Sequence, residues 1–289
     1  LFCDSNGYFE DDRTPAEREQ VYGEALDKLS TLYALIKQGR AYLEKRLSDP
    51  ELKPDIETSI AAWLGHAWQL AELREAGLMT PNVEMMQLAF NCCDDRSRQE
   101  FIDSGIWIDL ASGKLYCTKN YRPYKAAKFI KAEDSFFQVA QIPELFIYPG
   151  DMNQRIRWEG MTTRPTIDKD FAAIKKFAQA DFAAMAKQVK GNLKGPLSEK
   201  QPVCLLKFKR IGMVEETLCV EDVSGNRLTM TDRGIAEEPP SLQLLRLVPS
   251  ESLVDQVLIA RFRHDFDTKR LEVKPLAIVT SNDVVRLTL

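Results

Sequence analysis

The sequence predicts an α+β protein with an N-terminal helical bundle, a mixed middle region and a C-terminal antiparallel β unit. Three observations predict this class: apolar residues at helical spacing in the first hundred positions, a hairpin signature that begins at Gly105, and alternating strand patterns after a linker. The chain has 289 residues, of which 44% are hydrophobic and 28% charged, as is typical of globular proteins. We expect three domains, at 1–104, 105–195 and 196–289.

The first predicted domain begins with a strong helix-start signal. In the segment 14–17, a threonine can cap the helix, a proline suits the first helical position and a glutamate completes a capping box. The apolar positions that follow at helical spacing are Val21, Ala25, Leu29, Leu32, Ile36, Leu43 and Leu47. A second helix is predicted over 55–77, and weaker helical patterns cover 83–90 and 96–102. Together these segments predict an antiparallel bundle.

The middle domain combines strands with one helix. Residues 106–110 and 115–118 have strand character and flank the turn Ala-Ser-Gly-Lys, which predicts a hairpin. Apolar residues recur along one helical face over 168–190. The segment 191–196, Gly-Asn-Leu-Lys-Gly-Pro, is a linker that ends this domain.

The C-terminal domain contains two rounds of strand patterns. The first round spans 203–230 and the second spans 257–289, and their first and last strands resemble each other in sequence. Three arrangements remain open: two related sheets, one sandwich, or one small barrel.

The composition argues against several classes of function. Lys and Arg number 39 against 43 Asp and Glu, and this net charge of −4 excludes nucleic-acid binding through bulk charge alone. No apolar run reaches the length of about 18 residues that a membrane span needs. Common glycine-rich phosphate loops are absent and histidine is scarce, so we expect no cofactor and no metal site. The six cysteines lack Cys-x-x-Cys spacing, which favours reduced thiols and a cytoplasmic location.

The segment 119–131 gives the strongest indication of function. It holds five cations and no acid, interleaved with three aromatic rings, and a second basic cluster follows near residue 155. Cations neutralise phosphates and rings stack on bases, so this pattern is typical of a surface that binds single-stranded nucleic acid. We expect a helix after Pro123 to carry part of this surface. The predicted binding residues are Lys119, Tyr121, Arg122, Tyr124, Lys125, Lys128, Lys131, Arg155 and Arg157.

Other interpretations of the sequence remain open. The basic segment is also compatible with a solvated surface whose rings turn into the core. A second function is that of a scaffold or adaptor, which would bind another protein through the bundle or the β unit. A third is a carboxylate-dependent enzyme that uses Asp134, Asp151 and Glu159. Non-enzymatic binding of nucleic acid is the function we predict.

Three blocks, 68–78, 105–126 and 261–276, resemble the non-zinc regions of uncharacterised bacterial proteins that carry a SWIM zinc finger. The Cys-x-Cys…Cys-x-His pattern of the finger itself is absent. The resemblance implies a bacterial protein with a role in binding nucleic acid or protein, and it assigns no functional residues. Because the chain starts at Leu1 without an initiator methionine, we expect it to be processed or part of a longer protein.

Overall fold

A computed structural model describes residues 15–49, 51–233, 239–265 and 268–288. The α+β class is confirmed, because helices precede and connect two β-sheets of six and seven strands. In this part of the chain, no helix is both long enough and apolar enough to cross a membrane.

The N-terminal region consists of one long helix, α1 (Pro15–Ser48), and two short helices, α2 (Ile60–Trp63) and α3 (Leu70–Glu75). Thr14, the predicted cap of α1, lies outside the described residues. Tyr42 of α1 packs against a small apolar cluster. The buried members of this cluster are Ala61, Trp68, Leu73 and Phe146.

The helices predicted over 83–90 and 96–102 are wrong. Residues 83–90 belong to strand β1 (Met79–Asp95), and residues 96–102 form the turn after β1 and the first residues of strand β2 (Glu100–Asp109). Along β1 nearly every residue from Met85 to Cys93 is buried, because the strand is covered on both faces. Such a strand loses the alternation that identifies a half-exposed strand, so its apolar run can be mistaken for a helix.

The first sheet closes into a barrel. Its other strands are β3 (Leu115–Pro123), β4 (Val139–Ile147), β5 (Ile156–Arg157) and the short β6 (Thr162–Arg164), which pairs with β4. The hydrogen-bonded order is β3-β2-β1-β4-β5, and a parallel bridge from Cys117 to Arg155 brings β3 back to β5. The barrel core contains Val83, Met85, Trp107, Tyr116, Ala140, Ile142, Leu145 and Ile156.

Helices α4 (Asp168–Phe177) and α5 (Phe182–Leu193) lead to the second sheet. This pair replaces the single predicted helix over 168–190, since Ala178 is extended with φ −70° and ψ 134°. The strands that follow are β7 (Val203–Lys207), β8 (Arg210–Val214), β9 (Thr217–Glu221), β10 (Arg227–Met230), β11 (Val257–Asp265), β12 (Arg270–Val279) and β13 (Val284–Arg286). The short helix α6 (Leu242–Leu245) lies between β10 and β11.

The second sheet is also a barrel. Its order is β7-β11-β12-β10-β9-β8, with β13 added beside β12. Strands β7 and β8 are separated only by Phe208 and Lys209, whose amide groups donate to Gln256 and Glu221, so one bent strand closes the ring. Of the three arrangements left open by the sequence, the small barrel is therefore observed, and both sequence rounds contribute to it.

Both barrels have the strand order of an OB-fold. With β7 and β8 counted as one strand, the five main strands of each barrel, numbered along the chain, neighbour one another in the cyclic order 1-2-3-5-4. In each barrel, strands 3 and 5 are in parallel contact, and strand 4 lies beside strand 1. The C-terminal unit is therefore not purely antiparallel, because β10 pairs with β12 in parallel. The predicted boundary at residue 105 falls inside β2, whereas 196–289 contains every strand of the second barrel.

The two barrels pack against each other through apolar outer faces. Met86, Leu88 and Ile106 of the first barrel join a cluster with Leu205 and Ile259 of the second. Arg286 crosses this junction: its Nη2 donates to the carbonyl oxygens of Gln87, at 2.8 Å, and Phe136. Burial lowers the pKa of Arg286 to about 10. These contacts fix the position of one barrel relative to the other.

An ion-pair network on the first barrel predicts a dependence of stability on pH. Arg164 donates to Glu84 at 2.8 and 3.0 Å and to Asp170 at 2.8 Å, which joins β6 and α4 to β1. Hydrogen bonds from Arg164, and then from Gln141, lower the pKa of Glu84 from 4.5 to about 2. The stabilisation is present above the unfolded pKa and is lost as the pH falls towards the folded value.

We therefore expect Glu84→Gln to be less stable than the native chain near neutral pH, with the difference shrinking towards about pH 3. Urea unfolding of both proteins at the two pH values measures this. A difference that stays constant with pH would show that the charge of Glu84 contributes nothing.

Candidate nucleic-acid interface

Strand β3 separates its side chains between the inside and the outside of the first barrel. Tyr116 and Thr118 face the interior, where Thr118 Oγ1 accepts a hydrogen bond from Trp107 Nε1 at 3.1 Å. The neighbouring residues of β3 face outward, because successive side chains of a strand point to opposite faces. Lys119 and Tyr121 are exposed on this outer face.

The loop 148–155, which connects β4 to β5, brings Arg155 against these two residues. Arg155 Nη2 donates to the Lys119 carbonyl oxygen at 3.2 Å. The guanidinium carbon lies 5.7 Å from the ring centroid of Tyr121 and 5.0 Å from that of Tyr148. These distances fit cation–π contacts, so one guanidinium orients two aromatic rings beside an exposed lysine. We call Lys119, Tyr121, Tyr148 and Arg155 the basic-aromatic patch.

Contacts to both barrels hold the loop in place. The Asn153 side chain pairs with the backbone of Val203 in β7: its Nδ2 donates to the carbonyl at 3.0 Å and its Oδ1 accepts from the amide at 2.7 Å. The Cys117 amide of β3 donates to the Gln154 carbonyl at 3.0 Å. The patch is therefore assembled by β3, the loop and the start of the second barrel.

The Cys117 thiol, on β3 two residues before Lys119, is influenced by charges of both barrels. Burial raises the pKa of this thiol, while the positive charges of Lys119, Arg155 and Arg261 act in the opposite direction. Arg261 belongs to β11, so positive charges from both barrels act on this thiol. The Glu199 carboxylate is a nearby negative charge.

Of the predicted binding residues, Lys119, Tyr121 and Arg155 come together in the patch. Arg122 is engaged elsewhere, because its Nε and Nη2 each donate to Asp103 at 2.7 Å inside the barrel end. Tyr124 also makes internal contacts: its hydroxyl donates to Asp94, and its ring lies 5.1 Å from that of Phe101.

Lys125, Lys128 and Lys131 are exposed, but the helical stripe predicted for them is wrong. The segment after Pro123 contains only a 3-10 turn, Ala127–Phe129. The amides of Ala126 and Phe129 donate to carbonyl groups three residues earlier, at 2.8 Å each, so the segment forms 3-10 turns instead of an α-helical face. Arg157 is exposed on β5.

Two residues of this surface were not predicted from the sequence. Tyr148 precedes the second basic cluster by several positions, and Arg261 lies in a different barrel. Their proximity depends on barrel closure and barrel docking, and no local pattern signals either.

The structure gives no support to the carboxylate enzyme. Asp134, Asp151 and Glu159 are exposed and lie on three different connections. Among the described residues, no group of three His, Cys, Asp or Glu side chains could hold a metal ion.

No protein-family model and no curated protein matches the chain. Three solved structures show a distant likeness. A murine DNA binding protein bound with ds DNA has a TM-score of 0.29 and 8% identity, over 72% of this chain and 98% of that chain. The tetrameric p202 HIN2 has a TM-score of 0.23 and 8% identity, over 71% and 97%. A Replication Protein A heterotrimer bound to ssDNA has a TM-score of 0.19 and 10% identity, over 73% and 68%. At these TM-scores the likeness carries no functional argument for this chain.

Proposed function

We propose that this protein binds single-stranded nucleic acid, without catalysing a reaction, across the basic-aromatic patch of the first barrel. The observation that carries the proposal is the Arg155 guanidinium, which lies against the rings of both Tyr121 and Tyr148 beside the exposed Lys119. OB-fold barrels bind oligonucleotides on the face of strands 2 and 3 and with the loop between strands 4 and 5. The patch occupies these two elements.

The chemistry of the patch fits an unpaired strand better than a duplex. Aromatic rings stack on bases only where the bases are free of their partners, and such stacking contributes about 1–3 kcal/mol per base. Lys119 and Arg155 would neutralise phosphates on either side of a stacked base. The contacts from Arg155 restrict both rings before the ligand arrives, which lowers the entropy lost on binding.

The exposed cations around the patch would extend the path of the strand. Lys125, Lys128 and Lys131 follow β3, and Arg157 lies on β5, two residues after Arg155. Arg122 would act as a positioning residue, because its ion pair with Asp103 holds the end of β3.

We further propose a cytoplasmic location, which is supported by the lack of disulfide bonds among the described cysteines, Cys92, Cys93, Cys117, Cys204 and Cys219. A bacterial origin and a relation to SWIM-associated proteins stay predictions.

The test is fluorescence-anisotropy titration with short single-stranded DNA and RNA at two salt concentrations. We expect affinity to fall as salt rises, because bound phosphates release counterions. Lys119→Glu should weaken binding at least about tenfold and reduce the salt dependence. Tyr121→Ala should weaken it by about 5- to 150-fold at either salt concentration.

Lys169→Glu is the matched control, since it makes the same charge change at an exposed position of α4. It should bind like the native chain. Absence of salt-sensitive binding at micromolar protein would overturn the proposal, as would equal losses in Lys119→Glu and Lys169→Glu.

A further inference from the structure

Helix α1 carries a continuous apolar seam that faces solvent. Its members are Tyr22, Leu26, Leu29, Tyr33, Ile36, Leu43 and Leu47, whose exposed fractions range from 49% to 82%. They follow one another at alternating intervals of four and three residues, with Arg40 in the one position between Ile36 and Leu43. An interval of 3.5 residues on average is the repeat of a coiled coil.

The seam is not the face with which α1 contacts the rest of the protein. Tyr42 packs on the cluster formed by α2, α3 and β4, and Leu64 lies over Gly39, where an added Cβ would be 2.9 Å from a Leu64 methyl group. Ala34 is buried as well. Since the fold already uses this other side of the helix, the exposed seam does not serve the internal packing of the described chain.

A shallow groove shows the shape of the seam near its C-terminal end. It has a volume of about 460 Å³, and Ile36, Leu43 and Leu47 line it together with Leu64 of the neighbouring connection. In a coiled coil, each apolar side chain inserts between side chains of the facing helix. The groove offers such a hole.

We propose that the seam binds the same seam of a second copy of this chain, as an antiparallel two-helix coiled coil. The intervals read the same in both directions, so an antiparallel pair matches the whole seam: Tyr22 faces Leu47, Leu26 faces Leu43, Leu29 faces Arg40 and Tyr33 faces Ile36 of the second copy.

Arg40 decides the direction of the pair. In a parallel pair in register, Arg40 would face Arg40 of the second copy, and like charges at a seam repel. In the antiparallel pair its aliphatic stem lies against Leu29, while its Nε remains bonded to Glu44 at 2.8 Å. The charge pattern therefore favours the antiparallel arrangement.

The area of the seam is comparable with the area that a specific interface buries. The residues from Tyr22 to Leu47 span about 39 Å of helix at 1.5 Å per residue. If each of the seven apolar side chains removes about 60–120 Å² from water, the two helices together bury about 800–1,700 Å². Specific interfaces bury about 1,200–2,000 Å² in total, and the upper part of the range for the seam falls within these values.

Light scattering of the full chain after size-exclusion chromatography, at tens of micromolar protein, tests the proposal. We expect twice the 32.9 kDa of one chain. Leu29→Glu/Ile36→Glu should give the monomer mass. Gln38→Glu/Lys45→Glu, which also adds two glutamates to exposed positions of α1 but outside the seam, should leave the dimer intact. A native chain with the monomer mass would overturn the proposal.

Disulfide crosslinking in a Cys92→Ser background, which removes an exposed native thiol, tests the direction of the pair. In the antiparallel dimer, Leu26→Cys alone should not crosslink, whereas Leu26→Cys/Leu43→Cys should form a covalent dimer under oxidation. Crosslinking by Leu26→Cys alone would overturn the antiparallel arrangement. Circular dichroism of every variant shows whether α1 is still helical, so that loss of the helix is not mistaken for loss of the interface.

Discussion

Asp103→Asn is expected to lower the free energy of unfolding by about 3–5 kcal/mol, because it leaves the Arg122 guanidinium without its buried counter-charge. The Asp103 side chain is fully buried, and that of Arg122 is 12% exposed. Besides two hydrogen bonds from Arg122, the carboxylate accepts one from Asn120 Nδ2 at 3.1 Å and one from the Glu133 amide at 3.0 Å. An amide side chain cannot accept all four.

The lowered pKa of Asp103 also indicates that its carboxylate stabilises the fold. Burial by itself would raise it, but the hydrogen bonds from Arg122 and from the Glu133 amide outweigh burial and hold the pKa below its ordinary value. A carboxylate with a lowered pKa stabilises the fold above its unfolded pKa, and this stabilisation is lost as the pH falls through the folded value. The native chain should therefore lose its advantage over Asp103→Asn in acid.

Glu144→Gln is the matched control for this experiment. Glu144 also forms a bidentate pair with an arginine, Arg74, at 2.7 Å for both hydrogen bonds, but the two side chains are 43% and 48% exposed. Exposed pairs contribute little because water screens them. Urea unfolding near neutral pH should show a much larger loss in Asp103→Asn than in Glu144→Gln. Equal losses would show that burial of the Asp103 pair is energetically irrelevant.

Gly113→Ala is expected to lower the free energy of unfolding by about 2–4 kcal/mol, from left-handed backbone strain plus overpacking. Gly113 ends the turn between β2 and β3 with φ +72°, and its amide donates to the Asp109 carbonyl at 2.8 Å. A Cβ at this position would lie 2.2 Å from Cγ of Phe177 at the end of α4. The ring would have to move away from the turn.

Gly225→Ala separates the two causes. Gly225 has a similar backbone conformation, φ +84°, but an added Cβ would meet nothing within 4 Å. Gly225→Ala should lower the free energy of unfolding by about 1–2 kcal/mol, which is the cost of the left-handed conformation alone. Thermal unfolding of both variants measures the difference. Equal shifts in Tm would show that the contact with Phe177 costs nothing.

The parts of the fold that local sequence determines could be predicted. The hairpin of β2 and β3 depends on turn residues and on alternation within a few positions, and it is observed, as is the long helix that the apolar spacing from Val21 to Leu47 predicts. Strand β1 could not be recognised, because the packing of a second barrel against its outer face removes the polar positions that would mark it.

The candidate site also has one part that the sequence predicts and another that depends on the fold. Lys119 and Tyr121 share one face of β3 by simple alternation, which a sequence pattern can show. The engagement of Arg122 by Asp103 depends on the register between β2 and β3, and the approach of Arg155 to Tyr148 depends on the conformation of their loop. Neither follows from residue types alone.

The bidentate contact of Asn153 with Val203 would couple binding of the proposed oligonucleotide ligand to the arrangement of the barrels. Because Asn153 is bonded to β7 and lies only two residues before Arg155, rotating the second barrel away would pull the guanidinium from β3. A ligand that binds Arg155 in its present position therefore favours the docked arrangement, by reciprocal coupling of the two equilibria. Saturation with oligonucleotide should consequently make the two barrels melt together and at a higher temperature.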